Sequence, residues 1–252
     1  MSAAPRGLAP MEIELSSLGS LRELLRESPL FLVKQARLEA ADLVGWAARI
    51  GTPMPSPRPE LSLSDHPEIM RIGNVKNRTG KVVAGNARGL GWHSDMSYRS
   101  RPPDLTLLYA LEVPSRGGET EFASMDRVYD QLDPATAEAW TGLEVEHRTP
   151  SKRFEGAPDR MNVHPLLLRH PQSGRETLFY NPQYAHRVLG VDEEASRRIL
   201  DRIDSFLGEP DYAHRWSPGD LLIWDNRTVL HRATWHDPDQ PRHLWRMIVQ
   251  VE

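Results

Sequence analysis

The run "GWHSDMSY", Gly91 to Tyr98, sets His93 and Asp95 two residues apart among aromatic neighbours. Residues i and i+2 of a strand point to the same face. On a strand, this imidazole and this carboxylate can therefore converge on one ion. Such pairs are common by chance, so the reading needs a third ligand from elsewhere in the chain. Ten histidines are present, and most sit among polar or charged neighbours with no chemistry implied. His231, in "WDNRTVLHRATW", differs: it follows Val229 and Leu230 in a strand-like run. Its competitor His236 borders "DPDQP" and is expected in a turn. Two imidazoles and one carboxylate on one face of an octahedral ion form the ligand set of non-haem Fe(II) oxygenases, which leaves three positions open.

The bulk composition narrows the setting for such a site. The 252 residues carry a net charge of -4 and no basic excess, which argues against a nucleic-acid partner. No run of about 18 apolar residues spans a membrane, and the N-terminal stretch lacks the apolar core of a signal peptide. The chain has no cysteine, which removes disulfides, thiolate ligands and cysteine nucleophiles together. A cytoplasmic location is expected. The Asn77 and Asn226 sequons then carry no glycan. The 21 Pro and 17 Gly recur along the chain without a low-complexity linker or repeat, so residues 1–252 read as a single domain.

The elements that must hold the site are mostly short strands. Ten strand-like runs are predicted, among them "EIMRIGNV", "KVVAGN", "DLTLLYALEV", "ETEFAS", "DLLIWDN" and "HLWRMIVQVE", many separated by turn-forming residues. Helices are few. "LEAADLVGWAARIG" places Leu43, Trp46, Ala47 and Ile50 on one face and stops at Gly51. "VDEEASRRILDRIDSFLGEP" has Asp192 as N-cap and ends at Gly208 and Pro210. A shorter helix is expected over Met125 to Leu132. The class is mainly β with flanking helices, a sandwich or barrel.

Several motifs together resemble the TauD/TfdA family of Fe(II)- and 2-oxoglutarate-dependent dioxygenases. "WHSDMSY" is similar to its first metal motif and "GDLLIWDNRTVLHRA" to its second. "VPSRGGETEF" and "PRHLWR" are similar to the segments that supply a threonine and an arginine. The resemblance covers roughly Ile69 to Glu252, and "MDRVYDQLDPATAEAWTGLEVEHRT" looks most like the branch that oxidises aryloxyacetates. It implies a double-stranded β-helix, or jelly roll. It implies Fe(II) on His93, Asp95 and His231, with Thr120 and Arg242 gripping the far carboxylate of 2-oxoglutarate. A guanidinium can hold a carboxylate with two parallel hydrogen bonds. Arg246 is implied near the metal end, against the C1 carboxylate or an anionic substrate. It implies O2 as the oxidant, with succinate and CO2 as products. Asp95 stands where related halogenases carry a small residue, so hydroxylation, desaturation or oxidative cleavage is expected over halogenation.

The substrate itself is less legible. Asn74, Tyr98, Arg153 and Tyr184 are its candidate contacts, with Lys152, Tyr180 and Asn181 as further possibilities. The loop "TPSKRFEGAPDR" has the composition of a lid or of an ordinary solvated loop. The expected partner is a small organic anion, and homo-oligomerisation stays open. Two other readings compete: a metal-binding sensor or scaffold without oxygenase chemistry, and a Zn(II) hydrolase. Neither needs Thr120 and Arg242 in register.

Overall fold

The computed structural model describes residues 8–74, 89–149 and 160–251. The predicted strand "KVVAGN" and most of the loop holding Lys152 and Arg153 lie outside the described residues.

Fifteen strands are described. The first six are β1 (Met11–Glu12), β2 (Leu30–Val33), β3 (Thr52–Met54), β4 (Met70–Gly73), β5 (Leu105–Glu112) and β6 (Thr120–Ser124). The middle of the chain adds β7 (Glu144–Arg148), β8 (Met161–Pro165), β9 (Leu167–Arg169), β10 (Glu176–Leu178) and β11 (Ala185–Leu189). The last four are β12 (Tyr212–His214), β13 (Leu221–Asp225), β14 (Val229–Ala233) and β15 (His243–Gln250). A seven-stranded sheet runs β1-β2-β13-β5-β15-β3, with β4 also pairing to β15. A three-stranded sheet runs β12-β6-β14. Every pairing in these two sheets is antiparallel except β1 with β2.

The alternation of side chains shows how the two sheets pack. Leu30 and Leu32 of β2, Leu108 and Ala110 of β5, and Leu222 and Trp224 of β13 face Phe122 of β6 and Val229 of β14. Their odd-numbered partners in the large sheet, including Phe31, Leu107 and Ile223, turn the other way and pack against helices. The large sheet is therefore buried on both faces, and its strands read as continuous apolar runs. The mainly β class expected from the sequence holds.

The helices cover the outside. α1 (Leu21–Leu24) and α2 (Ala40–Ile50) lie on the outer face of the large sheet. In α2, Leu43, Ala47 and Ile50 are buried, while Trp46 is part-buried beneath the Arg49 guanidinium. α3 (Met125–Asp130), α4 (Pro134–Trp140) and α5 (Glu193–Ser205) pack with the outer residues Ala123 and Leu230 of the small sheet. Asp192 caps α5 as the sequence predicts, its carboxylate accepting from the Ala195 N–H at 2.7 Å. The helix expected to reach Leu132 ends at Asp130. A separate helix, α4, follows, with Asp133 accepting from the Thr136 N–H and Pro134 at the first helical position.

Candidate active site

His93 and His231 meet through backbone pairing. They form a lone antiparallel bridge: His93 N donates to His231 O at 3.0 Å and His231 N to His93 O at 2.8 Å. Directly opposed residues of such a pair put their side chains on one face, and the two imidazole centroids lie 4.2 Å apart. His231 belongs to β14, opposite Phe122 of β6, so its ring points into the space between the sheets. The buried Trp224 ring packs on it, with centroids 4.6 Å apart.

Asp95 arrives by a different route from the one expected. The H-x-D pair is not on a regular strand. The chain leaves the bridge at His93 and turns at Asp95–Tyr98, with Met96 in the left-handed region at φ 53°. A methionine there is unusual and costs energy, so tertiary contacts must hold it. The turn swings the Asp95 carboxylate back towards the imidazoles. One ligand atom from each of His93, Asp95 and His231 then lies within 4.8 Å of the others.

The donors are set for a divalent cation. His93 Nδ1–H donates to Gly91 O at 2.9 Å, which leaves the Nε2 lone pair free. Burial lowers the pKa of both imidazoles, and His93 lowers that of His231 further, so both are neutral at pH 7. Burial alone would raise the Asp95 carboxyl. Arg246, then His231 and His93, outweigh it and hold it down at about 2. The buried carboxylate is also braced. Thr106 Oγ1 donates to Asp95 Oδ2 at 2.7 Å, and Arg246 Nη1 to Asp95 Oδ1 at 2.8 Å. Behind Thr106, Asn226 Nδ2 donates to its hydroxyl at 2.9 Å, and Trp224 Nε1 donates to Asn226 Oδ1 at 3.2 Å. The sequence offered no spacing signal for Thr106 or Asn226. They emerge only because β5 and β13 are neighbours. The burial of Asn226 also leaves its sequon no room for a glycan.

The three ligand candidates line a cavity of about 630 Å³. Thr120, Arg242 and Arg246 line it too. Thr120 is buried on the inner face of β6, and its Oγ1 accepts from Trp216 Nε1 at 3.0 Å, which leaves its own O–H free to donate. Arg242 is also buried. Its Nε donates to Gly118 O at 3.1 Å. Burial pushes the guanidinium down to about 10, with Glu119 partly offsetting this. No carboxylate pairs with Arg242 among the described residues. A buried cation with no carboxylate in contact is costly, and a ligand carboxylate would relieve it. Gly118 makes the approach possible: it sits at φ +74°, and a Cβ there would lie 3.1 Å from Arg242 Nε.

The candidate substrate residues divide. Tyr98 and Tyr184 line the cavity and meet edge to face with centroids 5.0 Å apart. Asn74 is not brought to the cavity lining. Its Nδ2 donates to Pro238 O and Gln240 O, and its Oδ1 accepts from Arg242 N at 2.8 Å, so it staples the β14–β15 connection. Tyr180 donates to Asp204, and Asn181 Nδ2 donates to Ser94 O at 2.8 Å, which holds the segment between His93 and Asp95 from behind. Arg153 lies outside the described residues.

The family model described as "Taurine catabolism dioxygenase TauD, TfdA family" matches residues 6–248. The chain belongs to the TauD/TfdA family. It is a 2-oxoglutarate-dependent dioxygenase, an oxidoreductase. Among TauD/TfdA relatives, pentalenolactone F synthase of Streptomyces arenae is 33% identical over 211 residues, covering 74% of this chain and 70% of that one. The alpha-ketoglutarate-dependent 2,4-dichlorophenoxyacetate dioxygenase of Cupriavidus pinatubonensis is 34% identical over 196 residues, covering 73% and 68%. The crystal structure of a taurine dioxygenase from Burkholderia xenovorans superposes with a TM-score of 0.80 at 23% identity, over 97% of this chain and 88% of that one. At that identity the likeness concerns the fold, and it agrees with the jelly roll expected from the motifs. Among the described residues, no helix is long and apolar enough to cross a membrane.

Proposed function

We propose that this enzyme binds Fe(II) on His93, Asp95 and His231 and uses O2 and 2-oxoglutarate to oxidise an unactivated C–H bond, most simply by hydroxylation, of a small organic anion. Succinate and CO2 are the other products. One observation carries the reading. A two-histidine, one-carboxylate cluster with ligand atoms within 4.8 Å shares a cavity with a buried arginine that no carboxylate contacts among the described residues. The iron and the keto acid supply the oxidising chemistry once bound. The protein's own residues bind, orient and exclude water. Arg242 and the Thr120 hydroxyl hold the far carboxylate, and Trp216 fixes the direction of that hydroxyl. Arg246 stands at the metal end, against the C1 carboxylate or an anionic group of the substrate. Tyr98, Tyr184 and Met96 offer an apolar wall to the substrate body. Relatives named for phenoxy acids support that class.

Anaerobic titration of Fe(II) followed by 2-oxoglutarate tests this reading. Bidentate chelation of the keto acid is expected to give a weak visible charge-transfer band. Added oxygen and a small carboxylate substrate should then release succinate. A protein that binds the metal but shows neither band nor succinate would be a sensor or a hydrolase instead.

A further inference from the structure

We propose that His236 is a third hydrogen-bond donor to the far carboxylate of 2-oxoglutarate, beside Arg242 and Thr120. The assignment rests on the cosubstrate reading above and extends it to a residue outside the motifs.

The sequence places His236 in a turn, where an exposed imidazole is expected. The structure buries it, with only 4% of its surface accessible. Its Nε2 is enclosed and has no hydrogen-bond partner among the described residues. The ring lines the same cavity as Thr120, Thr234 and Arg242. A buried polar nitrogen without a partner is costly, and an anionic oxygen in that cavity would satisfy it.

The two glycines of "SRGGE" explain why His236 and Arg242 share one end of the cavity. Gly117 forms a lone bridge with His236, and Gly118 N donates to Trp235 O at 3.2 Å. Gly118 O accepts from Arg242 Nε at 3.1 Å. Both glycines have left-handed φ, +73° and +74°. A Cβ on Gly117 would lie 2.3 Å from Trp235 O and 3.2 Å from His236 Cα. One tight turn thus sets the imidazole and the guanidinium against the same end of the cavity. Burial first and Arg242 second keep the imidazole neutral. A neutral ring can give its Nε2–H to a carboxylate without adding a second cation beside Arg242.

Calorimetric titration of the Fe(II)-loaded protein under argon tests the assignment. Two ligands are compared: 2-oxoglutarate, and 2-oxovalerate, a five-carbon keto acid without the far carboxylate. His236→Gln carries its amide nitrogen at the reach of Nε2, and His236→Asn carries it at the reach of Nδ1. Both keep a polar side chain in place. The Asn variant should bind 2-oxoglutarate roughly tenfold more weakly, as for a lost hydrogen bond to a charged group. The Gln variant should stay within about threefold of wild type, and 2-oxovalerate should bind all three proteins alike. Equal 2-oxoglutarate affinity in the wild type and both variants would overturn the assignment. So would a parallel loss for both keto acids, which would mark a packing role. A wild-type protein that binds metal but no 2-oxoglutarate would overturn the cosubstrate reading itself.

Discussion

Arg246 Nη1 donates to Asp95 Oδ1 at 2.8 Å, joining the last strand of the large sheet to the turn that follows His93. The pair is largely buried, with 15% of the Arg246 side chain and 4% of the Asp95 side chain accessible. Arg246 therefore does two jobs: it fixes one oxygen of the carboxylate proposed as a metal ligand, and it keeps that carboxylate ionised. Arg246→Ala should weaken Fe(II) binding about 10- to 100-fold, the range for partners that orient a ligand. Arg246→Lys should recover only part, because ammonium lacks the planar fork. Fe(II) titration monitored by competition with a chelator measures both. Unchanged affinity in the alanine variant would show that the ion pair plays no part in the loaded site.

Thr106 braces the other oxygen of the same carboxylate. Thr106→Val keeps the shape and removes the hydroxyl that links Asp95 to Asn226 and Trp224. Fe(II) affinity should fall by about tenfold or more. The thermal midpoint should also drop, because Asn226 loses a buried acceptor. If the metal affinity holds and only stability falls, the relay is a packing device.

Arg242 and Gly118 should affect the cosubstrate and spare the metal. Arg242→Ala is expected to raise the Kd for 2-oxoglutarate roughly a hundredfold, through loss of charge-assisted bonds. Gly118→Ala should act in the same direction but less strongly, because its Cβ would press on Arg242 Cδ and Nε at 3.2 and 3.1 Å. His231→Ala should instead abolish Fe(II) binding. Normal 2-oxoglutarate binding in both the Arg242 and His231 variants would break these assignments.

A pH dependence follows from His147. This imidazole is fully buried, donates Nδ1–H to Ser97 O at 3.2 Å, and lies 5.7 Å from His164 between ring centroids. Burial first, and His164 second, push its pKa down to about 4 from the ordinary 6.5. Between those values the unfolded chain binds more protons than the folded one. Stability due to the neutral ring is thus complete above about pH 6.5, is lost as pH falls, and stays low below about pH 4. The full effect is on the order of 3 kcal/mol. Urea unfolding of the metal-free protein at pH 7 and pH 4.5 should show this loss. The loss should be smaller in His147→Gln, provided that variant folds. An identical pH slope in both proteins would remove His147 from the account.

Much of this site is legible in the sequence, and the illegible parts share a cause. His93, His231, Thr120 and Arg242 stand out because their motifs occur in register, and the structure gathers them in one cavity. Their supports do not stand out. Thr106 is a polar residue in an apolar strand run, and its role depends on β5 lying beside β13, a pairing no local spacing encodes. His236 reads as a turn residue because "DPDQP" follows it, yet the Gly117–Gly118 turn covers it. Asp95 sits on a turn and not a strand, since Met96 adopts a left-handed φ that sequence propensity disfavours. Asn74 reads as a site residue and serves to staple a connection. α4 is a different case, because Asp133 and Pro134 were a readable cap, masked by the short helix just before it.

The lone bridge between His93 and His231 joins segments from opposite halves of the chain with two backbone hydrogen bonds. Closing a loop that long costs chain entropy, which slows the formation of such contacts. A cation that fits between the two rings would then act as a clasp on the finished fold. It would bind the native chain alone and raise the unfolding free energy as its concentration exceeds its Kd. The melting temperature would then become a gauge of metal loading, readable before any substrate is known.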